Sequence, residues 1–244
     1  MELSRSQLTE YVHGVSALAT EAQDKLAYAL NWVWDYSGHD LSMVREAISE
    51  FVPQLVRQYG GAAGEISRDL WERIYLADTG MHDAGLAYGD DEDIGRMVDI
   101  DTRYELNRSE GMGDAERFAA LVSAFQRATG RSVKNRARHT MRKNAETHGG
   151  SFARVPTGAH TCAFCLMLAG RGFVYGSEEA AGAFDQWHND CDCVVVANHD
   201  PGGGRIQGYD PGDYEAMYRA ARAEAGSGDT SQILSKMRQM YDLK

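Results

Sequence analysis

The sequence predicts an α+β protein with a mostly helical N-terminal part, a small α+β part centred on cysteines, and a helical C-terminal tail. Three observations predict it. Apolar residues recur at spacings of three and four over most of residues 2–145, the period of helices that bury one face. After His148-Gly149-Gly150 the pattern changes to short β-type runs between turn residues. All four cysteines fall between positions 162 and 193. The chain divides on this reading into a helical region, 1–147, and a C-terminal region, 148–244, organised by those cysteines.

Leu8, Tyr11, Val15, Leu18, Ala22, Leu26, Leu30 and Val33 share one face and predict a first long helix within residues 2–36. Tyr36-Ser37-Gly38-His39-Asp40 breaks it, and Asp40 or Ser42 can cap a second helix that buries Val44, Ile48, Val52, Leu55 and Tyr59. Pro53 predicts a kink or an end, and Gly60-Gly61 reads as a stop. A third helix is then expected from about 62 to 77, with Ile66, Leu70, Ile74 and Tyr75 inward and Trp71 beside them. Thr79 to Asp93 reads as a loop, and its Asp90-Asp91-Glu92-Asp93 run, lacking calcium-loop spacing, reads as a solvated acidic turn and helix start. Helical pattern returns at 94–106 and again from Asp114 to about Ala145, with Gly130 a weak point that can split the second stretch in two. Phe152–Val155, Gly172–Tyr175 and Val194–Val196 predict strands. Asp200-Pro201-Gly202-Gly203-Gly204 reads as a flexible connector, and helices from Tyr214 to about Glu224 and from Ser231 close the chain.

With 43% hydrophobic and 25% charged residues the composition is that of a soluble globular protein. No apolar run reaches the roughly 18–20 residues of a membrane helix, and MELSRSQLTEYVHG has no apolar core of a secretory signal. The expected folding compartment is therefore the reducing cytoplasm. A net charge of −11 excludes a protein whose whole surface coats nucleic acid, though not a local basic patch.

Clustered cysteines in a reducing compartment point to metal before disulfides. Cys162-Ala163-Phe164-Cys165 forms a knuckle that aims two sulfurs at one point, and His188-Asn189-Asp190-Cys191-Asp192-Cys193 offers the rest from across a loop. Zinc takes four N or S ligands, and Cys162, Cys165, His188, Cys191 and Cys193 make five candidates. Cys191 and Cys193, two apart at a strand start, point the same way. The fourth ligand is His188 or the second of this pair, and a His188 outside the shell would hydrogen-bond a thiolate. Four protein ligands leave no open position, so the expected site is structural. The rival readings are a redox C-x-x-C pair, which lacks a preceding βαβ pattern, and inert buried cysteines. A nucleobase deaminase would need H-x-E ahead of P-C-x-x-C, and the sequence has neither. A thiol nucleophile paired with His160 or His188 is incompatible with cysteines held by zinc. The expectation is a protein that is not an enzyme. Arg154 and Arg171 flank the knuckle, placed to offset thiolate charge.

Ala153-Arg154-Val155-Pro156-Thr157-Gly158, Thr161–Tyr175, Trp187–Val195 and Gly208-Tyr209-Asp210-Pro211 resemble the central motifs of minor capsid proteins from actinobacterial tailed phages. These are in turn similar to the Mu-type head-morphogenesis family, in which C-x-x-C leads into L-D-G-K-x-[FY] and H-P-x-C-R-C follows. Here Leu168-Ala169-Gly170-Arg171 and His188–Cys193 stand in those places, and Ala169 departs from the family's Asp. The resemblance implies a low-copy virion protein inside the capsid, made in the host cytoplasm, bound to the portal and major capsid proteins and facing packaged DNA. It implies no enzymatic role and no membrane.

Arg127, Arg131, Lys134, Arg136, Arg138, Arg142 and Lys143 concentrate positive charge in one helix. Arg131, Arg138 and Arg142 fall near one face, joined by Lys134, a candidate surface for DNA phosphates or an acidic portal. The competing reading is a solvated face paired with acidic helices. The alternative function is accordingly a nucleic-acid-binding zinc protein using residues 127–143, with binding that weakens steeply as salt rises. Trp32, Trp34, Tyr209, Tyr214 and Tyr218 are core residues or interface anchors, and His82, His139, His148 and His199 read as surface or loop positions.

Overall fold

The computed structural model describes residues 2–87, 94–158, 161–176, 187–189 and 191–243. Its elements run β1 (Glu2–Leu3), α1 (Arg5–Tyr36), α2 (Leu41–Thr79), α3 (Ile94–Arg108), α4 (Asp114–Thr147), β2 (Ser151–Val155), α5 (Ala163–Ala169), β3 (Val194–Asn198), β4 (Arg205–Ile206), α6 (Pro211–Ala225) and α7 (Thr230–Tyr241). The mostly helical α+β class is as the sequence predicts. The Asp90–Asp93 run lies outside the described residues.

Helix α1 starts at a reciprocal cap. The Ser4 hydroxyl accepts from the Gln7 N–H at 3.2 Å, and Gln7 Oε1 accepts from the Ser4 N–H at 3.0 Å. Asp40 caps α2 by accepting from the Ser42 N–H at 2.7 Å. That helix then runs unbroken through Pro53 and Gly60-Gly61, where a kink and a stop were expected. Val52 and Val56, fully buried on either side of the proline, hold the helix against its lost hydrogen bond. The glycines serve close packing instead. A Cβ on Gly60 would lie 2.7 Å from Arg136 Cγ, and one on Gly64 3.2 Å from Thr140 Oγ1. Gly60, Ala63, Gly64 and Ser67 form the seam along which α4 approaches, and Ser67 Oγ donates to the Ala137 carbonyl at 2.7 Å. The stop is Gly80, in the left-handed region at φ 73°.

Helix α4 is likewise continuous through Gly130, because the bare Cα admits the Gln23 side chain of α1. Gln23 Nε2 donates to the Gln126 carbonyl at 3.0 Å across that contact. Helix α3 lies over α2 and α4. Strands β2 and β3 pair antiparallel from Ser151↔Asn198 to Val155↔Val194, and β1 pairs parallel with β4. Gly172–Tyr175 makes a single bridge, Phe152↔Tyr175, in place of the expected strand. Gly172 turns there at φ 63° and Val174 faces solvent, so the run has no extended face to bury. The Asp200–Gly204 connector is a turn closed by the Gly203 N–H on the Asp200 carbonyl at 3.0 Å.

One apolar cluster joins α1, α2 and α4 to the β2–β3 pair, through Tyr11, Val15, Trp71, Val133, Phe152 and Val195. A second fills the far end of the bundle, where Trp34 stacks on Phe118 at 4.5 Å. Trp32 is exposed and stacks on exposed Tyr36 at 4.9 Å. A third joins α5 to α6 and α7 and takes in Tyr214 and Tyr218. His148 and His199 converge on Trp71, whose Nε1 donates to His199 Nε2 at 3.0 Å. Among the described residues no helix is long and apolar enough to cross a membrane.

Candidate metal centre

Cys162 caps α5 in extended conformation, and its Sγ accepts from the Cys165 N–H at 3.4 Å. The C-x-x-C segment is therefore the knuckle its spacing predicts, with Cys165 in the first helical turn. Cys191 and Cys193 arrive on the segment that enters β3, on either side of Asp192, which is fastened from the opposite side. Thr157 Oγ1 donates to the Asp192 carbonyl, and Thr161 Oγ1 donates to the Asp192 carboxylate at 3.3 Å. Gly158 packs so closely against the Asp192 carboxylate that no Cβ fits. Thr157, Gly158 and Thr161 thus hold the second pair of cysteines opposite the first.

The four cysteines form one buried cluster, flanked by Phe164 and Trp187. The Sγ atoms of Cys165, Cys191 and Cys193 all lie within 4.8 Å of one another, and Cys165 Sγ is 3.5 Å from Cys191 Sγ. A zinc tetrahedron with Zn–S of about 2.3 Å has sulfur–sulfur edges of about 3.8 Å, so these thiols already stand near ligand spacing. Cys162 joins them through Cys165. Its thiol is pulled down to about 6, by hydrogen bonds from the Cys165 thiol and amide and by nearby His188, against burial. Cys191 is also held low, by hydrogen bonds from Cys165 and Cys193 and by the Arg138 guanidinium. Cys165 is pushed up because it donates to the other three thiols. Cys193 accepts from Cys165 yet is pushed up by its bond to Cys191 and by burial. Four buried sulfurs gathered in one cluster suit a borderline-soft divalent cation. His188 is exposed, unlike the four thiols. His160 lies outside the described residues.

Two arginines complete the cluster. Arg154, on β2 and fully buried, donates from Nη1 to Cys165 Sγ at 3.5 Å. Arg138, on α4, donates to the Cys193 carbonyl from Nε at 3.0 Å and Nη2 at 2.8 Å, and to the Cys191 carbonyl at 3.0 Å. The Trp187 ring lies between them, 3.6 Å from Arg154 Cζ and 3.9 Å from Arg138 Cζ. Arg171, the other expected counter-charge, is exposed and donates to the Tyr175 hydroxyl at 3.2 Å instead. Ala169 is buried, and its carbonyl accepts from the Tyr209 hydroxyl at 2.7 Å.

The four cations expected to share a partner-binding face do not do so. Arg138 and Arg142 are buried, the second beside Glu146 at 3.9 Å and His139 at 3.1 Å. Arg131 is half-buried with Nη2 on Met97 Sδ at 3.6 Å, and Lys134 is half-buried as well. Arg138 lies three residues before the core residue Met141, on the same helix face, and that spacing was the available signal. Trp187 carried no comparable sign of its place between two cations.

A Gly158→Ala variant is expected to lose about 1–3 kcal/mol, the cost of overpacking, because the added methyl meets Asp192. Thermal unfolding against Gly176→Ala, where a Cβ meets nothing within 4 Å, checks it. Equal midpoints for the two variants would count against the Asp192 brace.

The VG15 protein family matches residues 2–221 of this chain. Among curated proteins the chain is similar to the Gene 15 protein of Mycobacterium phage L5, 36% identical over 81 residues, covering 18% of this chain and 28% of the relative. It is also similar to the Gene 15 protein of Mycobacterium phage D29, 25% identical over 177 residues, covering 59% of this chain and 62% of the relative. The chain spans less than two thirds of the length of either relative. No solved structure matches.

Proposed function

Because this chain belongs to the VG15 protein family, a family of phage proteins, we propose that it is a minor capsid, head-morphogenesis protein whose C-terminal half is held by a structural zinc. The observation that carries the reading is the buried four-cysteine cluster, built by the same motifs that resemble phage head proteins. Cys162, Cys165, Cys191 and Cys193, with His188 at the rim, are the residues that would hold the metal. Zinc there supplies a cross-link between the α5 knuckle and the entry to β3, and its binding becomes folding energy. The cavity beside Cys191 and Cys193 is about 120 Å³, below the roughly 300 Å³ of small-molecule sites.

The protein acts inside the capsid, present in few copies, against the portal and major capsid proteins and near packaged DNA. Burial of Arg138 and Arg142 argues against free nucleic-acid binding through residues 127–143. The test is quantitative mass spectrometry of purified procapsids and virions, with cross-linking to the portal. A few copies per particle, cross-linked to portal, is the expected result. Recovery only in the soluble fraction of infected cells contradicts the proposal.

A further inference from the structure

We propose that His199 is an acid-operated latch between the helical part and the β2–β3 pair, which opens when a proton reaches its Nε2 and expels the Trp71 indole N–H. Two histidines share this one buried indole, and their hydrogen bonds make opposite demands. His199 follows β3 directly, and its Nε2 accepts from Trp71 Nε1 at 3.0 Å. An indole N–H only donates, so this nitrogen must keep its lone pair, and the neutral ring carries its hydrogen on Nδ1. A second proton has only Nε2 to take, where two N–H groups would then face each other at hydrogen-bond distance. His148, just after α4, is wired the other way. Its Nδ1 lies 2.8 Å from the Asn144 carbonyl and its Nε2 3.2 Å from Asp83 Oδ2. Both nitrogens face acceptors, so a proton gained there breaks no hydrogen bond.

The surroundings of the His199 ring act in the same sense. Burial holds its pKa below the ordinary 6.5, against the pull of Asp78 and with the help of His148, whose carbonyl pulls the other way. Asp78, on α2, accepts from the His199 backbone N–H at 2.9 Å. Tyr75 meets the ring edge-on at 4.9 Å, Asp83 faces His148, and Asp200 accepts from the Gly202 N–H at 2.7 Å. Gly150, where no Cβ fits, holds the ring from behind. The latch therefore ties α2 to the end of β3, within the apolar cluster that joins the helical part to the sheet. As pH falls below 6.5 the unfolded chain takes up the proton before the folded one does, so stability is lost from there down to the lowered folded value.

The experiment titrates the full chain from about pH 8 to about pH 5, the range that brackets an ordinary histidine. NMR follows the His199 ring and the Trp71 indole N–H, and denaturant unfolding is measured over the same range for wild type, His199→Gln and His148→Gln. His199 should titrate below 6.5, with the Trp71 N–H signal shifting and losing its exchange protection along the same curve. Below that pH the wild-type folding equilibrium should fall relative to His199→Gln by up to about tenfold per pH unit, the limit for one proton. Glutamine can accept from the indole through Oε1 without titrating, so His199→Gln should lack this slope, and His148→Gln should keep it. Acid release of any thiolate-bound metal affects wild type and His199→Gln alike, so the difference between them isolates the latch. A His199 that titrates at or above 6.5, an indole signal that stays put while it does so, or a slope that persists in His199→Gln overturns the proposal. So does a slope abolished in His148→Gln. The two wild-type titrations hold even if a variant fails to fold.

Discussion

A Cys162→Ser/Cys165→Ser variant is expected to lose its zinc and, with it, the order of the C-terminal half. The physical reason is the small amount of independent core there. Helix α5 has seven residues, and β2 and β3 have five each. The knuckle and the Cys191–Cys193 segment meet through the thiol cluster. Structural zinc contributes about 10–16 kcal/mol in isolated peptides, as much as the roughly 5–15 kcal/mol by which whole domains are stable. Serine also removes the Cys165 thiol that accepts from Arg154 and supports Cys191. The loss should spread, because Phe152, Val155 and Val194 pack in the same cluster as Tyr11 and Val133 of the helical part. Thermal unfolding should fall by at least about 10 °C, at roughly 2–4 °C per kcal/mol for a domain of this size. Limited proteolysis should cut first between 150 and 210. A variant that keeps its midpoint and its protease resistance would separate the cysteines from folding.

Trp71→Ala is expected to cost about 3–5 kcal/mol, as truncation of a large core aromatic does. Trp71 is fully buried in the cluster that binds the helical part to the β2–β3 pair. Its ring stacks on Tyr75 at 5.0 Å and meets His148 at 4.6 Å, and its Nε1 anchors His199 just after β3. Alanine removes the packing and leaves His199 Nε2 without its donor. Gly85, whose Cα lies against the ring at φ 55°, would also lose the surface that holds the 80–87 loop. Denaturant unfolding measures the loss. A change below about 1 kcal/mol, the size of an ordinary surface substitution or less, would mean that the helical part and the sheet are joined elsewhere.

The long helices were legible because burial on one face leaves a period that sequence carries directly, as from Leu8 to Leu30. What misled was glycine inside them. Gly60-Gly61 and Gly130 read locally as breaks, but the purpose of Gly60 and Gly130 lies in a second helix, in the Arg136 and Gln23 side chains that come within reach. Such information is absent from a local window. Pro53 misled likewise, since neighbouring buried valines outweigh one lost hydrogen bond. The Gly172–Tyr175 run looked like a strand by composition, yet only Tyr175 finds a partner.

For the site, spacing alone marked all four cysteines, and the structure brings them into one cluster. Charge was harder to read. Arg138 sits in a basic stretch that looked solvated, yet it turns inward to carbonyls more than 50 positions away in sequence. Arg171 sits beside the knuckle in sequence and turns outward. Proximity along the chain was a poor guide to which cations serve the thiols, because the decision belongs to the packing of α4 against β3.

The most direct test of the structural-zinc account is elemental mass spectrometry of the full chain, purified without chelator, alongside titration of its thiols in the folded state. About one zinc per chain, with all four thiols shielded until the metal is removed, is the predicted result. Absence of metal, with four thiols that react freely in the folded protein, would contradict it.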